Sequence, residues 1–341
     1  MLRFLFKLFA LLILGASLAG GWLWMDMQRS LREPLHLGAQ PQTFVVKPGM
    51  TMRAVADELA RKGVLDHPWY LAFEARRQGK AGRIKAGEFE LKPGMTPLGL
   101  IDLLVSGKVV QHSLTLVEGW TFRQMMDAVD ADPYLKHTLE GLSPGDIMAE
   151  IGEAGVLPEG RFFPDTYHFP AGTADVEFLQ RAFQTMRDVL QEEWEQRAPG
   201  LPYRNSYQAL IMASLIEKET ARPEERSRIA GVFVRRLERH MKLQTDPTVI
   251  YALGAAYDGD IHKKDLSIHS PYNTYLHKGL TPTPIAMPGR ASIHAALHPA
   301  SGKALYFVSR NDGSHQFSDT LAEHDKAVER YQLTHHNKPG P

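Results

Sequence analysis

The chain has 341 residues, enough for two globular domains, and its 39 basic and 39 acidic side chains cancel. That balance argues against a nucleic-acid partner held by bulk charge. The lack of cysteine excludes disulfides, thiolate metal sites and cysteine nucleophiles, and leaves the compartment open.

Arg3 and Lys7 precede an uncharged run from Leu8 to Met25. With Phe4 to Phe6 this run approaches the roughly 20 residues needed to span a bilayer. A cleaved signal peptide has an apolar region of only about 7–15 residues that ends at small side chains. Ala16-Ser17-Leu18-Ala19 offers small residues, but the apolar run continues to Trp22 and Trp24, which suit a membrane interface. The expectation is a retained single-pass anchor within residues 1–32, with the N-terminus in the cytoplasm and the bulk of the chain outside it. Residues 33–42 carry two prolines and no period, as a linker would.

An internal repeat follows. Phe44-Val45-Val46-Lys47-Pro48-Gly49-Met50-Thr51, then Val55 and Leu59, recurs as Phe89-Glu90-Leu91-Lys92-Pro93-Gly94-Met95-Thr96, then Leu100, Leu103 and Leu104. Each copy reads as a strand, a Pro-Gly turn, a threonine N-cap and an amphipathic helix. A looser third copy runs from Leu114 to Val129, with a capping box of Thr121 and Gln124. His67-Pro68-Trp69-Tyr70 starts a further helix, so residues 43–107 give strand, helix, helix, strand, helix. This order, with its K-P-G-M-T turns, resembles the LysM-type peptidoglycan-binding module, a βααβ unit expected over residues 43–112; a plain spacer domain fits the same pattern. The basic residues of these helices, among them Arg53, Arg61, Arg76 and Arg77, suit either a solvated face or an anionic lipid or wall polymer.

The larger domain, expected over residues 113–334, mixes helices and strands, so the fold class is α+β. Ser143-Pro144-Gly145-Asp146 opens a short helix. Leu157 to Phe169 reads as a loop whose aromatics could either face a sugar ring or pin the segment to the core. Residues 175–197 form an amphipathic helix. Pro223-Glu224-Glu225 starts another, burying Ile229, Val232, Phe233 and Leu237 and showing Arg235, Arg236 and Arg239 to solvent. Leu243 to Tyr251, Ser270 to Tyr275 and the proline-rich Gly279 to Gly289 read as irregular loops, which in a compact domain are usually functional. Asn311-Asp312-Gly313-Ser314 signals a hairpin, Thr320 and Glu323 a capping box, and residues 335–341 a frayed tail.

The candidate chemistry lies between these elements, in Asn205 to Thr220. From Ala209 to Ile216 the segment is apolar except for Ser214, which is the pattern of a buried helix. Leu210, Ala213, Ser214 and Glu217 share one face, so the Glu217 carboxyl would stand over small residues with room for a ligand. Apolar surroundings disfavour the charged form of a carboxyl, which suits a general acid. The competing reading is the solvated last turn of a core helix. Glu219 lies about 200° away round the helix and is expected to make a structural hydrogen bond or ion pair. Asp165 and Asp246 could cap turns or line a cleft; Gln244, Asn273, Tyr167 and Tyr275 could contact substrate or hold loops; Ser214 could bond Glu217 or simply pack.

Several ordered motifs together resemble the MltG/YceG family of membrane-anchored endolytic murein transglycosylases. They are Ala213 to Thr220, Phe163-Pro164-Asp165-Thr166-Tyr167, Leu243 to Tyr251, Tyr272-Asn273-Thr274-Tyr275, Ala296 to Ala300 and Leu305 to Val308. The departures are Arg161, where an aromatic or hydrophobic residue is expected, and Met287 before Pro288-Gly289. The resemblance implies cleavage of the β-1,4 bond between N-acetylmuramic acid and N-acetylglucosamine within glycan strands, leaving 1,6-anhydro ends and terminating strand growth. It implies Glu217 as the catalytic residue, no cofactor and no metal. It places the bulk of the chain on the periplasmic side of the inner membrane, with peptidoglycan strands as substrate and a peptidoglycan synthase as possible partner. Two alternatives stand beside it. A metal hydrolase would use the i, i+4 pair His294 and His298, although no H-E-x-x-H is present and Pro299 follows at once. A noncatalytic wall-binding or scaffold protein would rely on the LysM-like part alone.

Overall fold

A computed structural model describes residues 2–333; the expected frayed tail, residues 335–341, lies outside the described residues. The chain divides into two compact units, the first within Met1–His112 plus Phe169–Gly172 and the second within Ser113–His168 plus Thr173–Pro341.

The first unit begins with helix α1 (Leu2–Ser30). Its segment Arg3–Ser30 is long and apolar enough to cross a membrane, and its apolar window is wholly unburied. Strand β1 (Gln42–Val46), helices α2 (Met52–Arg61) and α3 (Pro68–Arg77), strand β2 (Gly87–Leu91) and helix α4 (Pro97–Ser106) follow. The strands pair antiparallel, Gln42 opposite Leu91 and Val46 opposite Gly87. The sequence repeat is a structural one. Gly49 and Gly94 adopt left-handed φ of 81° and 82°, and Thr51 and Thr96 then accept hydrogen bonds from Ala54 N and Gly99 N, each at 3.2 Å. Period-2 residues of the strands (Phe44, Val46, Phe89, Leu91) meet Val55, Leu59, Leu71, Leu100 and Leu104 of the helices in one core.

Strand β3 (Gln111–Thr115) leads into helix α5 (Phe122–Asp130), whose capping box of Thr121 and Gln124 is formed. Then come β4 (Leu135–Lys136), α6 (Pro144–Glu150), β5 (Thr166–Pro170), β6 (Thr173–Ala174) and α7 (Asp175–Glu195). Strand β4 pairs parallel with β6. The loop before β5 is pinned by its aromatics: Phe162 is fully buried, with ring centroids 5.7 Å from Phe122 and 5.8 Å from Phe183.

Helix α8 (Ser206–Glu219) is the centre of the second unit. Asn205 caps it, Ala209 through Ile216 are all buried, and α7, α9 (Pro223–Glu238), α10 (Asp246–Leu253) and α11 (Arg290–Leu297) pack around it. Two expectations need correction here. Leu243 to Tyr251 is not all loop, because Pro247 sits in the first turn of α10, where its missing N–H costs nothing. Arg236 does not face solvent, and Arg235 does so only in part. Arg235 donates to Ala304 O at 2.8 Å and Ala300 O at 3.0 Å, and buried Arg236 to Leu305 O at 2.6 Å and Leu243 O at 2.9 Å. Segment 300–305 runs close over α9 because Gly231 has no side chain; a Cβ there would lie 2.4 Å from Ala300 O. The hairpin of β7 (Tyr306–Ser309) and β8 (His315–Ser318) and helix α12 (Leu321–Val328), with its Thr320–Glu323 box, complete the unit.

Candidate active site

The two carboxylates at the end of α8 point different ways, as a separation of about 200° requires. Glu217 is enclosed, its side chain 7% exposed and its Oε1 lying 3.9 Å from Arg226 Nη2. Oε2 accepts the Gly289 N–H at 3.0 Å. Glu118 closes the same spot so tightly that a Cβ on Gly289 would lie 1.8 Å from its Oε1. Desolvation first, and the Glu217 carboxylate second, raise the Glu118 pKa. Gly289, at the end of the Gly279–Gly289 loop, thus lies against the Glu217 carboxylate. Ser214 is fully buried, donates to Ile211 O at 2.7 Å and accepts the Ile285 N–H at 3.0 Å, so it packs that loop and does not bond Glu217.

Glu219 faces a cavity. Its walls include Arg236, Gln244, Asp246, Tyr275, Tyr306 and His324, and about 490 Å³ is open to water-sized groups. Burial pushes the Glu219 carboxyl up to about 7; the Thr245 hydroxyl, donating to Oε2 at 2.5 Å, pulls the other way, and Asp246 adds to the rise. Arg236 supplies the cationic wall, with Nη1 3.3 Å from Gln244 Oε1. Tyr275 donates its hydroxyl to Asp246 Oδ1. Gln244 holds a left-handed φ of 50°, which a non-glycine residue adopts only when its surroundings over-determine it. Those surroundings are Thr274 O, which accepts Gln244 N at 3.2 Å, and Thr274 Oγ1, which accepts Thr245 N at 3.1 Å.

The remaining candidates lie elsewhere. Tyr167 is turned into the core, edge-on to Phe178 at 5.4 Å, donating to Phe163 O at 2.8 Å, its pKa pushed by burial up to about 12. Asp165 is exposed and caps its own turn, accepting Thr166 N at 2.7 Å. Asn273 is fully buried and ties its loop together, donating to Leu266 O at 3.0 Å and Ile268 O at 2.9 Å and accepting Tyr275 N at 2.9 Å. The tertiary structure thus gathers Gln244, Asp246 and Tyr275 around Glu219, and leaves Glu217, Ser214, Asp165, Tyr167 and Asn273 out of that cavity. Glu219 makes the structural hydrogen bond expected of it, with Thr245, but its place on a cavity wall beside Arg236 was not foreseen. The available signal was the second carboxylate of Glu217-Lys218-Glu219, two positions from the first.

His294 and His298 stack with ring centroids 4.1 Å apart, beside Glu193. Their ligand atoms and those of Glu193 lie within 4.8 Å of one another but are already engaged. His294 Nδ1 meets Glu193 Oε2 at 2.9 Å, Arg290 holds Oε1 at 2.9 Å, and His298 faces His294 O and Gln196 O at 3.1 and 2.9 Å. This is how histidines at a helix end bond when they serve structure.

Burial of Glu219 has a measurable cost. Its carboxyl is raised from 4.5 to about 7, so folding favours the protonated form. The associated stability is fully present below the unfolded value and is lost as pH rises through the folded one, a difference of roughly 3 kcal/mol. Glu219→Gln removes this dependence. Relative to wild type, its thermal unfolding midpoint should rise between pH 4.5 and pH 8; a constant difference across that range would show that the carboxyl is not desolvated.

The model of the YceG-like family matches residues 44–330. The endolytic murein transglycosylase of Bacillus subtilis (strain 168) is 33% identical over 321 residues, covering 89% of this chain and 88% of that protein. The endolytic murein transglycosylase of Streptococcus pneumoniae (strain D39) is 26% identical over 355 residues, covering 93% of this chain and 63% of that longer protein. Among solved structures, the yceG-like protein of Listeria monocytogenes superposes with a TM-score of 0.53 at 29% identity, over 85% of this chain and 99% of that one.

Proposed function

The chain belongs to the YceG-like family, and from that premise we propose that it is a peptidoglycan lytic endotransglycosylase whose acid and base is Glu219, not Glu217. The observation that carries this reading is a carboxyl held at about 7 on the wall of a polar cavity large enough for sugar rings. Near neutrality both of its forms are populated, as a group that acts twice requires.

The neutral carboxyl gives its proton to the glycosidic oxygen as the bond from C1 of N-acetylmuramic acid breaks. The resulting carboxylate takes the proton of the same sugar's C6 hydroxyl as O6 bonds to C1. The anhydro ring closes, the N-acetylglucosamine hydroxyl leaves, and Glu219 returns to its protonated form. No water is consumed, so no second carboxylate is needed to activate one. The Thr245 hydroxyl orients the carboxyl, and Arg236 steadies its charged form.

Asp246 shares the cavity, which favours hydrolysis by a carboxylate pair as the second reading. Digestion of isolated glycan strands by the full chain in detergent separates the two. The expected products carry 1,6-anhydro ends; reducing ends would mean hydrolysis, and no cleavage would favour the noncatalytic wall-binding alternative.

The finer organisation follows the same reading. Residues 1–32 act as a single-pass inner-membrane anchor with a cytoplasmic N-terminus, 33–42 as linker and 43–112 as a LysM-like module that holds glycan. Residues 113–334 form the periplasmic catalytic domain. Cleaving nascent strands beside a peptidoglycan synthase in the same membrane would terminate their elongation.

A further inference from the structure

The end of α1 is fastened to α3. Met27 and Leu31 are buried against Tyr70, with Leu98 packed alongside. The Tyr70 hydroxyl donates to Asp26 Oδ2 at 2.6 Å, and the Arg77 guanidinium lies 5.9 Å from the centre of the Trp24 ring. Helix α3 is therefore held level with Trp22 and Trp24, the exposed aromatics that close the apolar run of α1.

At 3.6 residues per turn, Trp69, Phe73 and Arg76 fall within about 60° of one another, with Arg77 and Tyr70 on the flank toward α1. Leu71 and Ala75 occupy the opposite side and are buried in the core of the unit. The Trp69–Phe73 stripe is left uncovered: Trp69 is 41% exposed and Phe73 48%. Trp69 is nevertheless fixed, its ring 4.2 Å from that of Tyr70 and edge-on to it. Isolated apolar side chains on a surface need no explanation, but these adjoin a helix whose membrane-length apolar window is wholly unburied.

We propose that this face of α3 seats in the headgroup layer of the bilayer that α1 spans, a proposal that rests on reading α1 as a retained span. Trp69 and Phe73 enter the boundary between headgroups and acyl chains, and Arg76 and Arg77 lie at the level of the lipid phosphates. The apolar pair dominates, because Glu74 already neutralises much of Arg77 at 2.6 Å. Anionic lipid therefore strengthens the contact without being essential to it. A single span leaves a domain free to rotate about the membrane normal and to tilt; a second attachment beside the exit point fixes the tilt of the first unit.

The test uses the full chain in vesicles of phosphatidylcholine and phosphatidylglycerol. Since the chain has no cysteine, single nitroxide labels can be introduced cleanly. They go at Leu12→Cys in α1, Ala72→Cys beside the stripe and Glu90→Cys on β2, and their accessibilities to oxygen and to a water-soluble nickel chelate give depth. The expected result is Leu12 in the hydrocarbon, Ala72 about 5–10 Å inside the interface and Glu90 in water. Trp69→Ser with Phe73→Ser should move the Ala72 label into water while Leu12 stays put. A deep Leu12 with Ala72 as aqueous as Glu90 overturns the docking and leaves the span intact. A Leu12 label in water overturns the span, and the docking falls with it.

Discussion

Glu219→Gln should fold normally and lose about 100- to 10,000-fold of glycan-cleaving turnover, the range by which positioned acid–base groups accelerate reactions. Gln keeps the shape and can still accept from the Thr245 hydroxyl, so the cavity should survive; what disappears is the transferable proton. Glu217→Gln is the informative partner. Its carboxylate accepts the Gly289 N–H, faces Arg226 and lies outside the Glu219 cavity, so its replacement should lower stability and leave most of the turnover. Measured on the same glycan by release of anhydro ends, the reverse pattern, with Glu217→Gln inert and Glu219→Gln active, would transfer the acid–base role to Glu217. In wild type, kcat/KM should fall as pH rises through about 7, because the proton to be donated is then missing. A profile flat to pH 9 would contradict a carboxyl raised by burial.

The second large effect is expected from Arg236→Met. Arg236 is 7% exposed and its guanidinium donates to Leu305 O, Lys242 O, Leu243 O and Gln244 Oε1, so methionine fills part of the volume and leaves those acceptors without their donor. Each orphaned buried acceptor costs about 1–3 kcal/mol, and a total loss of roughly 3 kcal/mol or more is expected from urea unfolding. Arg236 also lowers the Glu219 pKa, so its removal raises that value and moves the fall in activity to higher pH. Unchanged stability together with an unmoved pH profile would show that Arg236 neither scaffolds the cavity nor feels Glu219.

Much of the fold is legible wherever local chemistry suffices. The repeated Pro-Gly turns demand a left-handed glycine and a threonine cap, and both copies have them. The capping boxes at Thr121 and Thr320 form as written, since their bonds join residues three apart. The unbroken apolar run in α8 predicts burial on every side, and Ala209 through Ile216 are buried. Arg235 and Arg236 mislead because a run of basic residues at a helix end looks solvated, whereas the carbonyls that capture them arrive from residues 300–305.

The candidate site is legible to one helical turn and no further. Sequence alone fixes that α8 is a core helix, that it ends in two carboxylates and that these cannot share a face, because all three follow from the 3.6-residue period and the order of side chains. Which carboxylate meets open space is decided by the loops. The backbone N–H groups of Ile285 and Gly289 bond Ser214 and Glu217, while Thr245 holds Glu219, and Gln244 and the β7–β8 hairpin leave a cavity beside it. Those contacts join residues as many as 72 positions apart in the chain, and no local pattern encodes them; only the packed tertiary structure gives one carboxyl a lid and the other a pocket.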